Sequence, residues 1–358
     1  MNDIKTQEYS KTVYKKDTSG KIRMLHVYTE GSTLIQESGL VDGEKVKHES
    51  VAKPKNIGKS NETTPEEQAR LEAASKIETK MSTGYFNTIE EAENNEVILP
   101  MLAKDYKKES KKVIFPCYVQ PKLDGMRAHG KKDKSMMSRK GKEIETMAHI
   151  QADLDALPCI DILDGELYAH GESFQENMKL IKKYRAGESE KVQYHVYDMV
   201  YPNMGFYSRY LILKGLVENS PNIHLVPTYK IENEIELKAM HQKFLADGYE
   251  GTIVRWGDAG YKINGRSSNL LKYKDFIDIA CKVIDIKPSD KRPEQGECVC
   301  EHNGRTFGTG MKFSHKEREE ILANKENYVG QIAEIRFFEY TDDGTPRFPV
   351  CVGFRLDK

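Results

Sequence analysis

The sequence has few of the residues that mark secreted, metal-binding or membrane-spanning proteins. Its 6 cysteines are scattered and form no C-x-x-C pair, so neither a zinc-finger pattern nor a dense disulfide framework is present. No run approaches the roughly 18 to 20 uninterrupted apolar residues that a bilayer crossing needs. The segment MNDIKTQEYSKTVYKK at the start of the sequence is polar throughout and lacks the apolar core of a signal peptide. We therefore expect a soluble, cytoplasmic protein with reduced structural thiols and no membrane partner.

An excess of charge of one sign is also missing. The chain carries 55 Lys and Arg against 56 Asp and Glu, a net charge of -1, which neither requires nor excludes a polyanionic partner. The distribution of charge is more informative, because residues 101–150 hold 13 Lys and Arg against 6 Asp and Glu. This basic region could contact phosphate groups, although a solvated charged face would give the same composition.

The length of 358 residues predicts two or three domains at about 150 residues each. Residues 11–52 alternate short β-type runs with glycine turns and predict a small meander. Thr64 and Glu67 form a capping-box pattern that predicts the start of a helix. We therefore expect a first α+β domain over residues 1–92, with the acidic segment EEAENNE at 90–96 as a linker.

Two further units follow along the chain. Residues 97–277 alternate apolar strands with mixed helical stretches. Residues 278–358 contain five short strands interrupted by one helix, which is typical of a small barrel of the OB type. The predicted fold class is therefore α+β, with three domains in series.

The segment YVQPKLDGMRA at 118–128 is the most informative for chemistry, because Lys122, Asp124, Gly125 and Arg127 follow an apolar run within six residues. A lysine is a nucleophile only when its amine is neutral, so its pKa of roughly 10.4 must be lowered by burial or by neighbouring cations. Arg127 is such a neighbour. Alone, the K-x-D-G-x-R pattern is equally compatible with a surface lysine before a turn.

Three polar side chains in later motifs could line a nucleotide pocket. SRKGK at 138–142 places Arg139 before a glycine turn, where it could contact phosphate. ILDGELY at 162–168 places the Glu166 carboxylate in a strand, where it could accept hydrogen bonds from ribose hydroxyls. Tyr197 lies in the apolar run YHVYDMV and offers a ring on which a purine could stack, although a core tyrosine is the commoner case.

Two more motifs add a carboxylate and a pair of cations. YEGTIVRW at 249–256 places Glu250 at the head of a β-branched strand, where its oxygens could hold a hard cation. In LLKYKDF at 270–276, a period of two puts Lys272 and Lys274 on the same face of a strand. Their ammonium groups are expected to point toward one place, unless the segment is simply an edge strand protected by lysines.

In this order, the motifs K-x-D-G-x-R, S-R-x-G-K, D-G-E-L-Y, E-G-T-I-V and L-x-K-Y-K resemble the motif series of the covalent nucleotidyltransferases, specifically of ATP-dependent DNA ligases. PMLA at 100–103 is similar to a segment that precedes the catalytic domain of ligases. RFPVCVGFRLDK at 347–358 resembles their closing R-x-D-K motif. The resemblance covers about residues 97–358. Residues 53–76 resemble the end of a WGR-like domain, although the Trp-Gly-Arg signature is absent.

The resemblance implies a domain organisation and an activity. Residues 97–277 would form an adenylation (nucleotidyltransferase, ATP-grasp-like ligase) domain, residues 278–358 an OB-fold domain, and residues 1–92 a WGR-like domain that binds DNA. The enzyme would seal nicks between 3′-hydroxyl and 5′-phosphate ends of duplex DNA, through lysyl-AMP and adenylylated DNA. Its cofactors would be ATP and Mg²⁺ or Mn²⁺, and its partner nicked double-stranded DNA. It would act as a monomer in DNA repair, replication and recombination, in the host cytoplasm if it is a phage or viral ligase.

The resemblance also implies a role for each site residue. Lys122 would be the nucleophile that attacks the α-phosphate, and Glu250, together with Glu166, would hold the metal. The remaining residues would bind the nucleotide: Gln120 and Tyr197 the adenine, Glu166 the ribose, Arg127 and Arg139 ribose or phosphate, Lys272 and Lys274 the α-phosphate, and Arg355 and Lys358 the pyrophosphate.

Alternatives within and outside the superfamily stay open at this point. An RNA ligase or a GTP-dependent mRNA guanylyltransferase would share most of the motifs. An NAD-dependent ligase is disfavoured because the zinc-finger cysteines of that class are absent. A DNA-binding protein without catalytic activity would keep the fold, but the intact lysines and glutamates of the motifs argue against it.

Overall fold

A computed structural model of the chain describes residues 8–17, 19–94, 98–158, 161–290 and 292–355. The first unit is the predicted meander, an antiparallel sheet of four strands in sequence order: β1 (Ser10–Lys16), β2 (Ile22–Glu30), β3 (Thr33–Leu40) and β4 (Lys45–Val51). Helix α1 (Pro65–Met81) covers one face and buries Ala73 and Ile77 against the sheet. The predicted capping box is present, because the Thr64 side chain accepts from the Glu67 amide and the Glu67 carboxylate accepts from the Thr64 amide.

The segment predicted as a linker is instead helical in its first part. Helix α2 (Ile89–Asn94) packs on β1 and β2 and buries Ala92. Its start is stabilised by the Thr88 hydroxyl, which accepts from the Glu91 amide at 3.1 Å, and by the Glu91 carboxylate, which accepts from the Asn87 amide at 2.9 Å. Acidic residues favour a helix N-terminus, so the charge that suggested a linker helps to form this helix. Residues 95–97 of the predicted linker lie outside the described residues.

The central unit contains two sheets. Their strands are β5 (Leu102–Asp105), β6 (Cys117–Lys122), β7 (Met126–Lys131), β8 (Lys134–Ser138), β9 (Glu143–Ile144), β10 (Leu163–Tyr168), β11 (Gln193–Met199), β12 (Ile223–Leu225), β13 (Tyr229–Ile231), β14 (Gly251–Arg255) and β15 (Arg266–Tyr273). The six-stranded sheet has the order β12-β11-β10-β7-β8-β9, and the five-stranded sheet has the order β13-β6-β14-β15-β5.

Five helices surround these sheets: α3 (Tyr106–Glu109), α4 (Ala148–Ala156), α5 (Phe174–Lys182), α6 (Phe206–Val217) and α7 (Glu234–Ala246). The six-stranded sheet buries Leu154 of α4, Leu180 of α5 and Leu213 of α6 in one large core. The five-stranded sheet buries Leu237 and Phe244 of α7 in a second core.

The last unit is the predicted barrel. Strands β16 (Ile277–Pro288), β17 (Gly296–His302), β18 (Arg305–Met311), β20 (Val350–Arg355) and β19 (Ile332–Phe337) close in that order, with helix α8 (His315–Ala323) between β18 and β19. The core of the barrel contains four thiols: Cys281, Cys298, Cys300 and Cys351. The described residues therefore form three units in series: a four-stranded sheet, a central unit of two sheets and a closed five-stranded barrel.

The connection between β19 and β20 packs on the central unit. Arg347 pairs with Asp124 at 2.5 Å, and the Ser173 hydroxyl contacts Asp342 at 3.1 Å. The Lys274 ammonium lies 4.5 Å from the centre of the Phe338 ring. The barrel is thus held against the turn that follows β6. Among the described helices, none combines the length and the apolar character needed to cross a bilayer.

Candidate active site

The K-x-D-G turn fixes where Lys122 lies. Lys122 is the last residue of β6, and Gly125 passes so close to β10 that a Cβ there would lie 2.2 Å from the Leu167 carbonyl oxygen. Only glycine permits this approach without a shift of the backbone. The turn therefore brings Lys122 and Asp124 to the space between the two central sheets.

Two lysines share one carboxylate at this position. The Lys122 ammonium pairs with one oxygen of Glu250 and the Lys274 ammonium with the other. The Glu250 amide also donates to the Lys122 carbonyl at 2.9 Å, which fixes the two residues side by side. The Glu250 side chain is almost completely buried. Because a buried carboxylate needs partners of opposite charge, Glu250 holds the two ammonium groups close to each other.

Burial and neighbouring cations change the protonation of both lysines. The pKa of Lys122 is lowered by burial and further by Arg127 and Arg347, while Glu166 and Asp124 oppose this change. The pKa of Lys274 is lowered to about 7, by burial first and then by Lys122. A neutral amine on Lys122 is therefore accessible at a lower pH than for a lysine in water.

The side of the cavity formed by the six-stranded sheet is rigid and charged. Arg127 donates to both oxygens of Asp164, at 2.9 and 2.5 Å, and Tyr261 donates to the same carboxylate at 2.6 Å. Arg127 is thereby locked opposite Glu166, its register partner across β7 and β10. Burial raises the pKa of Glu166 to about 7, although Lys122 and Arg127 counteract this change. Glu166 can therefore act as a donor or an acceptor near neutral pH.

Uncharged side chains line another part of the cavity, its apolar end. Tyr197 donates from its hydroxyl to the Gly165 carbonyl at 3.3 Å, which holds the ring in place at this end. Gln120 is 1% exposed and is hydrogen-bonded on both sides of its amide. Apolar side chains of Ile253 and Leu270 complete this end. The cavity encloses about 230 Å³ and has an apolar, aromatic end and a cationic end.

Most of the predicted site residues meet in this cavity. Its lining includes Gln120, Lys122, Arg127, Arg139, Glu166, Tyr197, Lys272 and Lys274, and Glu250 contacts it through the two lysines it pairs with. These positions come from β6, β7, β10, β11 and β15, from the turn after β8, and from residues next to β14 and β15, so the spacing in the sequence does not bring them together. The topology of the two sheets does.

The predicted C-terminal contact Arg355 is not part of the cavity lining. Arg355 ends β20 on the exposed surface of the barrel and pairs with Glu334 at 3.1 Å. In this arrangement of the domains β20 is held in the barrel by pairing with β19, and a contact of Arg355 with the nucleotide stays a prediction. Lys358 lies outside the described residues.

Sequence reasoning missed several charged residues at the site. Arg255 and Arg266 line the cavity, Asp164 orients Arg127, and Arg347 reaches Asp124 from the barrel. Arg255 carried a usable signal, because it ends the apolar run GTIV, and a charge in a buried strand requires a partner. Arg347 carried none, since its partner is 223 residues away.

The carboxylates fit a divalent cation that is shared with a phosphate. The described residues contain no group of three or more His, Cys, Asp or Glu side chains that could hold a metal. Glu250 offers oxygens beside the Lys122 and Lys274 ammonium groups, and Mg²⁺ is commonly held by one or two carboxylates together with substrate phosphates. The donor set therefore fits a cation that arrives with a nucleotide.

Comparison with known proteins agrees with this geometry. Residues 100–274 match the model of an ATP dependent DNA ligase domain, and residues 294–355 match that of a DNA ligase OB-like domain. The DNA ligase of African swine fever virus is 27% identical over 344 residues, covering 85% of this chain and 79% of the viral protein. The DNA ligase of enterobacteria phage T4 is 25% identical over 335 residues, covering 72% of this chain and 68% of the phage protein.

A solved structure of a Lig E DNA ligase superposes with a TM-score of 0.64 at 26% identity, covering 73% of this chain and 100% of that one. The two matched models together span about two thirds of the sequence and meet the catalytic and barrel units described above. Lys122 at the end of β6, Lys272 in β15 and Lys274 just after it all fall within the stretch that matches the ligase domain. The chain belongs to the ATP-dependent DNA ligases.

Proposed function

We propose that this ligase seals nicks between 3′-hydroxyl and 5′-phosphate ends of duplex DNA, with Lys122 as the nucleophile that carries AMP. The observation that carries the proposal is the cavity itself. Lys122, with its pKa lowered by burial, lies at the cationic end, and an apolar end of suitable size for a purine lies on the other side.

The first step forms the covalent intermediate. The neutral Nζ of Lys122 attacks the α-phosphorus of ATP, a nitrogen–phosphorus bond forms, and the bond to the β-phosphate breaks as pyrophosphate leaves. Lys272 and Lys274 approach the same space and would stabilise the charge that develops on the phosphoryl oxygens. Such positioned cations do most of the work in phosphoryl transfer.

The next two steps use the DNA. An oxygen of the 5′-phosphate attacks the phosphorus of lysyl-AMP, and Lys122 leaves as the amine. The 3′-hydroxyl then attacks the 5′-phosphate, the phosphodiester bond forms, and AMP leaves. Arg127 and Arg139 would bind ribose or phosphate, Glu166 the ribose hydroxyls, and Gln120 and Tyr197 the adenine.

A divalent cation, Mg²⁺ or Mn²⁺, would be held by Glu250, with Glu166 nearby, and would neutralise phosphate charge during transfer. Before the nucleotide binds, Glu250 pairs with Lys122 and Lys274. Release of Glu250 toward a cation would free Lys122 from its counter-charge. The departure of this carboxylate would thus favour the neutral amine of Lys122 at the time that the phosphate arrives.

The N-terminal unit would bind the DNA backbone. Lys15 and Lys80 place their ammonium groups 5.6 and 5.3 Å from the centre of the Tyr85 ring, and the pKa of Lys15 is lowered by burial and then by Lys80. A half-buried group of like charges beside an aromatic ring suits phosphate, whatever the base sequence. The unit would act on the same DNA molecule as the catalytic domain, within a monomer.

Incubation with labelled ATP or GTP, followed by a denaturing gel, tests the first step. We expect labelled AMP on the wild-type protein, none on Lys122→Ala, and none on Lys122→Arg, because a guanidinium stays protonated at any workable pH. Transfer of the label to a nicked duplex and sealing of that duplex then test the later steps.

Each other outcome identifies a different function. Labelling by GTP alone would indicate a guanylyltransferase, and sealing of RNA but not of DNA an RNA ligase. Wild-type labelling that persists in a folded Lys122→Ala protein would contradict the assignment of the nucleophile. Binding of DNA without any covalent label would indicate a catalytically silent protein.

A further inference from the structure

The apolar end of the cavity contains one side-chain amide, that of Gln120, whose orientation is fixed by its hydrogen bonds. Gln120 lines the cavity and is buried, so its amide faces whatever base occupies this end. The oxygen of an amide accepts hydrogen bonds and its nitrogen donates them. Which of the two atoms faces the base therefore decides between a purine with an amino group and one with an oxo group at position 6.

Two partners of single polarity determine the orientation of Gln120. The Nε of Arg255 lies 2.8 Å from Oε1, and a guanidinium can only donate. On the other side, Nε2 of Gln120 donates to the Tyr197 backbone carbonyl at 3.3 Å, and a carbonyl can only accept. An amide rotated by 180° would oppose donor to donor and acceptor to acceptor. Nε2 thus donates to the Tyr197 carbonyl and to the Thr228 hydroxyl, whereas Oε1, which accepts from Arg255, keeps a second lone pair that could accept from a base.

Arg255 is itself held in place from three sides. Its Nη1 donates to Asp198 at 2.5 Å, its guanidinium lies 4.2 Å from the centre of the Phe206 ring, and Nη2 lies 3.4 Å from the Tyr197 carbonyl. Asp198 also accepts from Arg209, at 2.6 and 3.0 Å. The four side chains form a continuous buried chain: Gln120, Arg255, Asp198 and Arg209.

The stability of the fold does not by itself explain this chain of charges. Two guanidiniums and a carboxylate lose their hydration in the interior, and well-packed apolar side chains of similar volume are often as stable or more stable. What the polar chain provides is direction, because each hydrogen bond restricts the next side chain to one orientation.

We propose that Arg255 is a specificity-determining positioning residue: it holds the Gln120 oxygen toward the base, so the site selects a 6-aminopurine nucleotide over a 6-oxopurine one. The inference rests on the proposed use of ATP at this cavity. Arg255 acts through Gln120 and needs no contact with the base. Asp198 and Arg209 keep Arg255 in the position from which it acts.

The test compares ATP with inosine triphosphate, which carries an oxo group at position 6 and otherwise closely resembles ATP. The ratio of kcat/KM for covalent labelling by ATP over inosine triphosphate is measured for the wild type and for Arg255→Met. Without the donor, only the longer contact of Nε2 with the Tyr197 carbonyl, at 3.3 Å, favours the present orientation, so the amide rotates more readily and can present its NH₂ to the oxo group. We expect the ratio to fall by about 10-fold, the scale of one hydrogen bond of correct polarity. A purely structural role would lower both rates together and leave the ratio unchanged.

Thr228→Val is the matched control. The Thr228 hydroxyl accepts from the other side of the same amide at 2.9 Å, but a hydroxyl can either donate or accept and so does not fix the orientation. We expect both rates to change while the ratio stays within about 2-fold, because Arg255 still faces Oε1. A shift of the ratio in Thr228→Val as large as in Arg255→Met would overturn the proposal.

Gln120→Glu keeps the test decisive if Arg255→Met does not fold, as judged by circular dichroism. A carboxylate accepts from Arg255 and from a 6-amino group alike, while its second oxygen loses the bond to the Tyr197 carbonyl, so both rates should fall but the preference for ATP should persist. Loss of that preference in Gln120→Glu, or an unchanged ratio in folded Arg255→Met, contradicts the role of Arg255. Absence of any covalent label on the wild type would instead contradict the proposed function itself.

Discussion

At the scale of single residues, the reactivity of Lys122 is set by its surroundings. Burial lowers its pKa, Arg127 and Arg347 lower it further, and Glu166 and Asp124 raise it. The neutral amine attacks, so the rate of lysyl-AMP formation at saturating ATP should rise with pH and level off. We expect the midpoint below the 10.5 of a free lysine, measured by rapid quench over a range of pH.

The sign of one carboxylate's effect checks this account. Because Glu166 favours the ammonium form of Lys122, Glu166→Gln should move the midpoint to lower pH, even though weaker ribose binding reduces the rate. Extrapolation to saturating ATP separates the two effects. A midpoint that stays at the pKa of free lysine, or that moves upward in this variant, would contradict the assigned electrostatics.

Local patterns in the sequence predict some of these residues and not others. Lys122, Glu250, Lys272 and Lys274 stand in short motifs whose chemistry can be interpreted within ten residues. Arg255 could be suspected only as a charge in an apolar strand, since its contact with Gln120 spans 135 residues. Long-range pairs of this kind depend on sheet order, which local periodicity does not encode.

At the scale of elements, helix α7 holds the end of strand β15, which contains Lys272 and precedes Lys274. The ring of His241 stacks on Tyr273 at 3.8 Å, and its nitrogens contact Thr252 at 2.9 Å and Asp275 at 3.2 Å. Tyr106 stacks on the opposite side of Tyr273 at 4.7 Å. The end of β15 is therefore clamped next to Lys274.

Removal of this clamp should affect catalysis and stability together. We expect His241→Ala to lower the free energy of unfolding by about 2 kcal/mol, since it leaves a cavity and unpaired polar groups. Displacement of Lys274 should slow adenylylation by about 10-fold. Urea unfolding and the labelling rate measure the two effects. His48→Ala, an exposed change on β4, is the control and should alter neither.

The elements themselves were predicted unevenly. The capping box at Thr64 identified helix α1 because side chain and backbone interact within one turn. The same kind of box at Thr88 and Glu91 was overlooked, because helix α2 has only 6 residues and too little periodicity to stand out. The five short strands interrupted by one helix predicted the barrel, and the structure shows alternating burial along β18 and β19.

At the scale of the whole molecule, Arg347 couples the barrel to the catalytic turn. It pairs with Asp124 and with Glu339, and it lies 3.7 Å from the centre of the Phe174 ring. We expect Arg347→Ala to loosen the barrel, to increase proteolysis near residues 274–277, and to slow nick sealing by about 10-fold. Arg336→Ala is the matched control, because Arg336 pairs with Asp278 on the exposed surface of the barrel, between β19 and β16. Equal proteolysis of both variants would show that the Arg347 contact does not orient the barrel.

The N-terminal unit should separate from catalysis. Since α2 packs on the first sheet, the cut belongs after residue 94. We expect deletion of residues 1–94 to leave covalent labelling by ATP within about 2-fold, while binding to a nicked duplex weakens and its dependence on salt becomes shallower, because fewer phosphates are contacted.

A charge variant of the full chain refines this prediction. Lys15→Gln with Lys80→Gln should reproduce part of the loss of affinity, whereas Lys47→Gln, which removes a lysine paired with Glu49, should not. Unchanged affinity and salt dependence in both the truncated chain and the double variant would show that this unit does not contact the backbone.

The buried thiols of the barrel allow the rate of its local opening to be measured by chemical modification. Cys281, Cys298, Cys300 and Cys351 are all buried, and burial raises the pKa of Cys281 to about 11. A thiol reagent can modify them only when the barrel opens. Cys117, whose pKa is raised to about 12 by burial in β6, reports on the catalytic domain in the same way. With Cys159, which lies outside the described residues, replaced by serine, the order of labelling would reveal which domain opens first.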